Sequence, residues 1–287
     1  MIAIVVNETA GHGKAARQYK KVEAFLKQAQ LPYRIYKTNQ AGHARTLARQ
    51  AAQEGIQTVF AMGGDGLAQE VARGIYGSET AMGILPAGTG NDFAKALGLP
   101  QDPVAALKHA LACTPRKIDV GLINGEVFLN VAGTGFDIQT LLWAQKFKAL
   151  GSGMLPYLLG AICAIVTFKP IELEMRFDDE SVHQAVTIVT IANGQFLGGG
   201  MHVAPKASVS DGLFDILLVD PIAKPLIPFL LPHFIRGTAE KLVPAHVRRC
   251  KRVTLRRKGQ VMDVDGELVS VDDVTLQIVP QGLWMRC

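Results

Sequence analysis

The chain has 287 residues, 48% hydrophobic and 19% charged, with a mean hydropathy of +0.19. That excludes a disordered chain, and 29 glycines and 14 prolines without a triplet period exclude a collagen-like one. The excess of 30 Lys and Arg over 25 Asp and Glu gives +5, which suits phosphates, nucleotides or an anionic surface but is too small and too spread out to argue for a nucleic-acid binder. Cys113, Cys163, Cys250 and Cys287 have no CxxC spacing, so neither a disulfide scaffold nor a zinc site is expected and a reducing cytosol is the simple reading.

Ile2–Val6 reads as a first strand, with no basic segment or cleavage site of a signal peptide. Residues 15–30 carry Val22, Phe25 and Leu26 at helical spacing, 33–36 are strand-like, and 44–54 form an Ala-rich helix ending at Gly55. A strand at 58–62, a helix at 67–75, a strand at 82–85 and a helix at 102–112 continue the alternation. Such alternation predicts βαβ units and a parallel sheet with helices on both faces. From about residue 118 the rhythm changes to short strands at 128–131, 172–177, 185–192, 214–219, 253–256, 260–264 and 274–279. Helices are expected at 138–148 and 155–167, and near 222–237. The fold class is therefore an α/β N-terminal domain with a parallel sheet, at 1–120, and a mainly antiparallel β-sandwich at 121–279, with 280–287 free to return to the first domain.

Residues 149–168 carry no charge before Lys169, but Gly151, Ser152, Gly153 and Pro156 break the run. Its helical part suits a buried helix better than a membrane span. The apolar stretch 221–235 is broken by Pro225, Pro228 and Pro232 and cannot be one regular helix.

Five motifs carry chemistry. Met62-Gly63-Gly64-Asp65-Gly66 follows a strand and opens a helix, where glycine admits a phosphate to backbone N–H groups; the bland alternative is a tight turn. Pro86-Ala87-Gly88-Thr89-Gly90-Asn91-Asp92-Phe93 repeats the strand-to-helix setting about 20 residues on. Both loops fall at the carboxyl edge of a parallel sheet, where ligands bind. Thr89 and Asn91 could bond a phosphate or base, and Asp92 is placed as an N-cap. The loop at 7–14, ending in Lys14, lacks the Walker pattern. Asp211-Gly212-Leu213 reads as a hairpin turn or, less readily, a Mg²⁺ site with hard oxygen ligands. Asp263-Val264-Asp265-Gly266-Glu267 is a hairpin that could also supply a general base or a metal ligand. Seven Lys and Arg between 248 and 258, without an acid, fit a protected edge strand or a contact with anionic lipid.

In order along the chain, GGDG with Glu70, P-x-G-T-x-N-D-F, Asp119-Val120-Gly121, Asn130-x-x-Gly133-x-Gly135-Phe136-Asp137, A-P-x-A with Asp211-Gly212, and Asp265-Gly266-Glu267 resemble the bacterial soluble diacylglycerol kinases. These are related to sphingosine and ceramide kinases and, more distantly, to NAD kinase. The resemblance implies an ATP- and Mg²⁺-dependent lipid kinase. It implies nucleotide contacts at Asn7, Gly11, Thr38, Gly64, Asp65, Gly66, Leu67, Glu70, Gly88, Thr89 and Asn91. It implies Mg²⁺ near Ser208, Asp211 and Leu213, and a proton acceptor from the hairpin, with Glu267 as base, Asp265 supporting it and Asp263 facing solvent. The chain departs from the family at Glu8, where a proline is usual, and at Leu67, where the family writes threonine. The expected partners are a diacylglycerol-like lipid and an anionic membrane surface touched peripherally from the cytoplasm, with no nucleic acid; a homodimer stays open. The rival readings are an NAD-kinase-like enzyme with a soluble substrate and a catalytically weak nucleotide- or lipid-binding protein.

Overall fold

A computed structural model describes residues 1–11, 13–147 and 154–287, the last range without the side chains of 154–157. His12 and the glycines read as breaking the 149–168 run lie outside the described residues. The first half is built from β1 (Ile2–Val6), α1 (Lys14–Gln28), β2 (Tyr33–Lys37), α2 (His43–Gln53), β3 (Thr58–Gly63), α3 (Asp65–Ile75), β4 (Ala81–Pro86), α4 (Asp92–Ala96) and α5 (Pro103–Ala112). The four strands are parallel, in the order β2-β1-β3-β4.

Alternate residues of β1 and β3 serve opposite faces. Ile4, Val6, Phe60 and Met62 pack with Val22 and Leu26 of α1 and Leu107 of α5. Ala3, Val5, Val59 and Ala61 pack with Ala44 and Ala48 of α2 and Val71 and Ile75 of α3. Two covered faces explain why these strands read as continuous apolar runs. They also place every strand-to-helix loop at one sheet edge.

The second half is antiparallel. It comprises β5 (Arg116–Ile123), β6 (Glu126–Phe128), β7 (Val131–Gly135), α6 (Phe136–Lys146), α7 (Met154–Thr167), β8 (Ile171–Phe177), β9 (Glu180–Val186) and β10 (Ile188–Ala192). The short pair β11 (Phe196–Leu197) and β12 (Met201–His202) follows, then β13 (Phe214–Val219), α8 (Leu231–Arg236), β14 (Ala245–Cys250), β15 (Arg252–Val264) and β16 (Glu267–Met285). Its strands run β14-β13-β10-β7-β15-β16, around a core that stacks Phe128 on Phe214 among Leu173, Met175, Leu255 and Leu276. β16 ties the halves together. It leaves β15, pairs with β5, and meets β4 in parallel at Met285 and Met82, where the Arg286 N–H donates to the Met82 carbonyl at 2.8 Å.

α7 is not the buried helix its composition suggests. Leu158, Ile162 and Val166, one turn apart, are 56%, 52% and 67% exposed. Among the described residues no helix is long and apolar enough to cross a membrane. The proline-broken stretch is a 3-10 turn, Lys224–Phe229, followed by the six-residue α8, which exposes Leu226, Phe229, Leu231 and Ile235.

Candidate active site

Three hollows follow one another along the carboxyl edge of the parallel sheet and into the second half. The first is polar, about 340 Å³, lined by Asn7, Thr9, Thr38, Asn39, Gln40, Ala41, Gly66, Leu67 and Glu70. The second is acidic, about 260 Å³, and includes Asp65, Asp92, Asn130, Asp263, Asp265 and Gly199 in its walls. The third is apolar, about 360 Å³, between α6, α7, β10 and α8, and includes Asp137, Ile162, Thr190, Leu230 and Phe234. Gly66 lines the first and its neighbour Asp65 the second, both in the first turn of α3, and Leu197 lines the last two.

The polar hollow is shaped by local hydrogen bonds. The Asn7 carboxamide oxygen accepts the Thr9 N–H at 3.0 Å and its hydroxyl at 2.7 Å. Glu70 reaches from α3 to the start of α2 and accepts the N–H groups of Gly42 (2.8 Å) and Ala44 (2.9 Å). It supplies the cap that Gly42 cannot, and so fixes the 38–43 loop. Gly66 and Leu67 sit in the first turn of α3, where backbone N–H groups have no intrahelical acceptor. Leu67 is nevertheless a core residue, 9% exposed and packed on Gly63. Lys14 is exposed at the first position of α1.

The two glycine loops need their glycines for each other. A β-carbon on Gly88 would lie 2.4 Å from the Gly64 Cα. Asn91, at φ 53°, accepts the Gly88 N–H at 3.0 Å. The Asp65 carboxylate accepts the Phe93 N–H at 3.0 Å, and burial raises its proton affinity. Asn91 therefore holds the N-cap position expected of Asp92. Asp92 lies inside the first turn and accepts the Gly199 N–H at 2.7 Å, fastening the Gly198-Gly199-Gly200 loop of the second half to the first. Gly64, Gly88 and Asn91 thus build the loops, Thr89 is exposed, and Gly11 turns at φ 60° against the Ala87 carbonyl.

The Asp265-Gly266 pair is a two-residue turn with both φ positive, 52° and 90°, joining β15 to β16 across the Val264–Glu267 pair. The Asp265 carboxylate accepts three N–H groups, from Leu129 (2.6 Å), Asn130 (2.9 Å) and Val131 (2.9 Å). Burial pushes its pKa up to about 6 against the pull of those donors. Glu267, the first residue after the turn, pairs with Arg73 of α3 at 3.0 Å. Asp263, expected to face solvent, is 5% exposed instead. It accepts the Gly266 N–H at 2.7 Å, and burial, with the neighbouring Asp137 charge second, pushes it up to about 7. A register slip of one residue would turn Asp263 outward; the two-residue turn closed by Val264 and Glu267 sets the inward register.

The Asp211-Gly212 turn is not a hairpin, since no strand precedes it. Its Gly212 N–H is held by buried Asp119 at 2.7 Å. Ser208 Oγ, the Asp211 carboxylate and the Leu213 carbonyl are hard oxygen donors of the kind Mg²⁺ takes. However, the Asp211 carboxylate already accepts the Leu213 N–H and pairs with Arg249, so the set in this arrangement does not fit a cation. Among the described residues no three His, Cys, Asp or Glu side chains converge as metal ligands. Three of the seven basic residues of the 248–258 stretch are ion-paired, Arg248 with Glu180, Arg249 with Asp211 and Asp215, and Arg256 with Glu174, while Lys251, Arg252, Arg257 and Lys258 are exposed.

Sequence reasoning missed Asn39, Gln40, Leu197 and the 198–200 glycines, and it named Asp137 within a motif without giving it a role. The loop after β2 was signalled by its place at the carboxyl edge, and the glycine run by its composition.

Two family models match the chain: the diacylglycerol kinase catalytic domain over residues 1–123, and the YegS C-terminal NAD kinase beta sandwich-like domain over residues 130–286. A Chromohalobacter salexigens protein named "Probable lipid kinase YegS-like" is 39% identical over 187 residues, 63% of this chain and 60% of that one. A Klebsiella pneumoniae protein of the same name is 30% identical over 281 residues, 96% of this chain and 93% of that one. The crystal structure of a diacylglycerol kinase from Bacillus anthracis str. Sterne shares the fold, with a TM-score of 0.76 at 21% identity over 99% of this chain and 96% of that one. The chain belongs to the lipid kinase family of the diacylglycerol kinase catalytic domain and the YegS proteins.

Proposed function

We propose that this lipid kinase transfers the γ-phosphoryl group of ATP to the hydroxyl of diacylglycerol or a similar neutral lipid. The observation that carries the reading is the sequence of hollows, polar, acidic and apolar, the first two joined at Gly66 and Asp65 of α3 and the last two at Leu197. ATP occupies the polar hollow, with its phosphates toward the N-terminus of α3, and Mg²⁺ enters with the nucleotide as part of the donor substrate. Phosphoryl transfer asks mainly for positioning and charge neutralisation.

The acyl chains occupy the apolar hollow. Its mouth carries exposed Leu158, Ile162 and Leu231, and the flanking Lys169, Lys224 and Arg236 are the only Lys, Arg, Asp or Glu in residues 158–170 and 221–238. This rim, where basic residues flank exposed apolar ones, rests on an anionic membrane surface, rather than the 248–258 stretch, which presents charge without an exposed apolar patch beside it. Glu267 is the proton acceptor: its lone pairs are engaged by Arg73 alone, whereas those of Asp265 are taken by three backbone donors. Asp265 supports it by clamping 129–131. Turnover with ATP and dispersed dioleoylglycerol, compared with turnover on NAD, tests the reading and its NAD-kinase-like rival together.

A further inference from the structure

The inner end of the apolar hollow is not apolar. Asp137, in the first turn of α6, lines it, and the Oδ1 atom of Asp137 is shut off from solvent without a hydrogen-bond partner. Across Leu197, which lines both hollows, Asp263 lines the acidic one. The two carboxylates lie near enough for the Asp137 charge to raise the proton affinity of Asp263. Neither lining contains a Lys, Arg or His. A buried acceptor without a donor is costly, and a ligand hydroxyl is the group that would satisfy it without adding charge.

We propose that Asp137 and Asp263 form the head-group subsite of the lipid, in which Asp137 accepts a hydrogen bond from a hydroxyl of a neutral glycerolipid. This rests on the kinase reading and extends it to selectivity. Asp65 and Asp265 stand beyond Asp263 in the same acidic hollow, together with Asp92, which Lys95 pairs at 3.2 Å, so an acceptor already bearing a phosphate meets an excess of like charge there. A diacylglycerol enters; a phosphatidylglycerol or a lysophosphatidate is repelled, and the phosphorylated product is driven out by the same field. Like-charge rejection of this kind is selection against the wrong partner. Asp137 and Asp263 are binding and positioning residues here, and the proton transfer assigned to Glu267 is unchanged.

The test compares wild type with Asp137→Asn and Asp263→Asn, using ATP and either dioleoylglycerol or phosphatidylglycerol in the same detergent micelles. Asn keeps an acceptor oxygen but loses the charge that strengthens the bond, and its NH₂ faces the same site, so Asp137→Asn should raise KM for dioleoylglycerol about tenfold. KM for ATP should stay within about twofold, a split that mere structural damage would not produce. Each variant should also narrow the preference for dioleoylglycerol over phosphatidylglycerol about fivefold, because a like charge has been removed. Should Asp137→Asn fail to fold, Asp263→Asn carries the selectivity arm alone. Lipid KM and lipid preference unchanged in a folded variant would overturn the subsite while leaving the kinase reading intact. Wild-type protein that phosphorylates no lipid would overturn the kinase reading and the subsite with it.

Discussion

Glu267 sets its Oε2 3.0 Å from the Nη1 of Arg73, on the flank of α3, although the two residues are 194 positions apart. The Asp265-Gly266 turn produces this: it buries one carboxylate of the motif under three backbone donors and presents the other at the surface with a single cation. If Glu267 takes the hydroxyl proton, Glu267→Gln should lower kcat about 10²-fold or more, the usual contribution of a positioned base. ATP affinity and the unfolding midpoint should barely move. A normal kcat would leave the Arg73 pair as a structural tie and nothing more.

The glycines of the two loops separate by role. Gly88→Ala puts a methyl group against the Gly64 backbone and should cost about 1–3 kcal/mol of stability, as overpacking does. Gly66→Ala meets nothing within 4 Å, so that variant should fold normally and lose only ATP affinity. Urea unfolding and ATP titration on both proteins check the contrast. Equal destabilisation would show that Gly66 is also a packing glycine.

Buried carboxylates set an expected pH dependence. Burial pushes Asp137 up to about 6 and Asp263 up to about 7. Unfolded carboxyls titrate near pH 3.9, so between about pH 4 and 7 the folded state keeps protons that the unfolded chain has lost. Stability therefore falls as pH rises through that window and levels off above it. The ion-paired Glu23 and Glu54 are shifted downward and act below it. The thermal midpoint should be higher at pH 5.5 than at pH 8, and Asp263→Asn should flatten the slope and raise the midpoint at pH 8. A slope unchanged in the variant would place the titration elsewhere.

Membrane contact should track the apolar rim. Serine at Leu226, Phe229 and Ile235 together should weaken binding to anionic vesicles at least about tenfold, since each fully buried side chain of this size contributes about 1.5–3 kcal/mol. Neutralising Arg248 and Arg256, which are paired with Glu180 and Glu174, should change it little. Binding lost in the arginine variants and kept in the serine ones would move the contact to the β14–β15 face. Salt should weaken wild-type binding by screening Lys169, Lys224 and Arg236.

The first half was legible because its strands are covered on both faces and its helices are amphipathic, so period and length agree in segments such as Ile2–Val6 and Thr58–Gly63. The glycine loops were legible as ligand loops, but their backbone-to-backbone contact at Gly64 and Gly88 is a tertiary fact that no local pattern carries. The inward turn of Asp263 depends on which residues close the hairpin, Val264 and Glu267, and on which face of the sheet is covered. The exposure of α7 depends on which neighbours cover it: α6 covers one side and leaves Leu158, Ile162 and Val166 bare. A uniformly apolar helix has no polar face to announce that. Asp211 read as a metal ligand or a hairpin turn because the sequence could not show Arg249 beside it.

The most direct measurement is radiolabel transfer from [γ-³³P]ATP to dioleoylglycerol in detergent micelles, with NAD and a micelle without the acceptor as controls. The expected result is label in phosphatidate, dependent on the lipid hydroxyl, lost in Glu267→Gln and absent from NAD. Label in NAD, or no labelled lipid from protein that binds ATP, would contradict the reading of this chain as a kinase of neutral lipids.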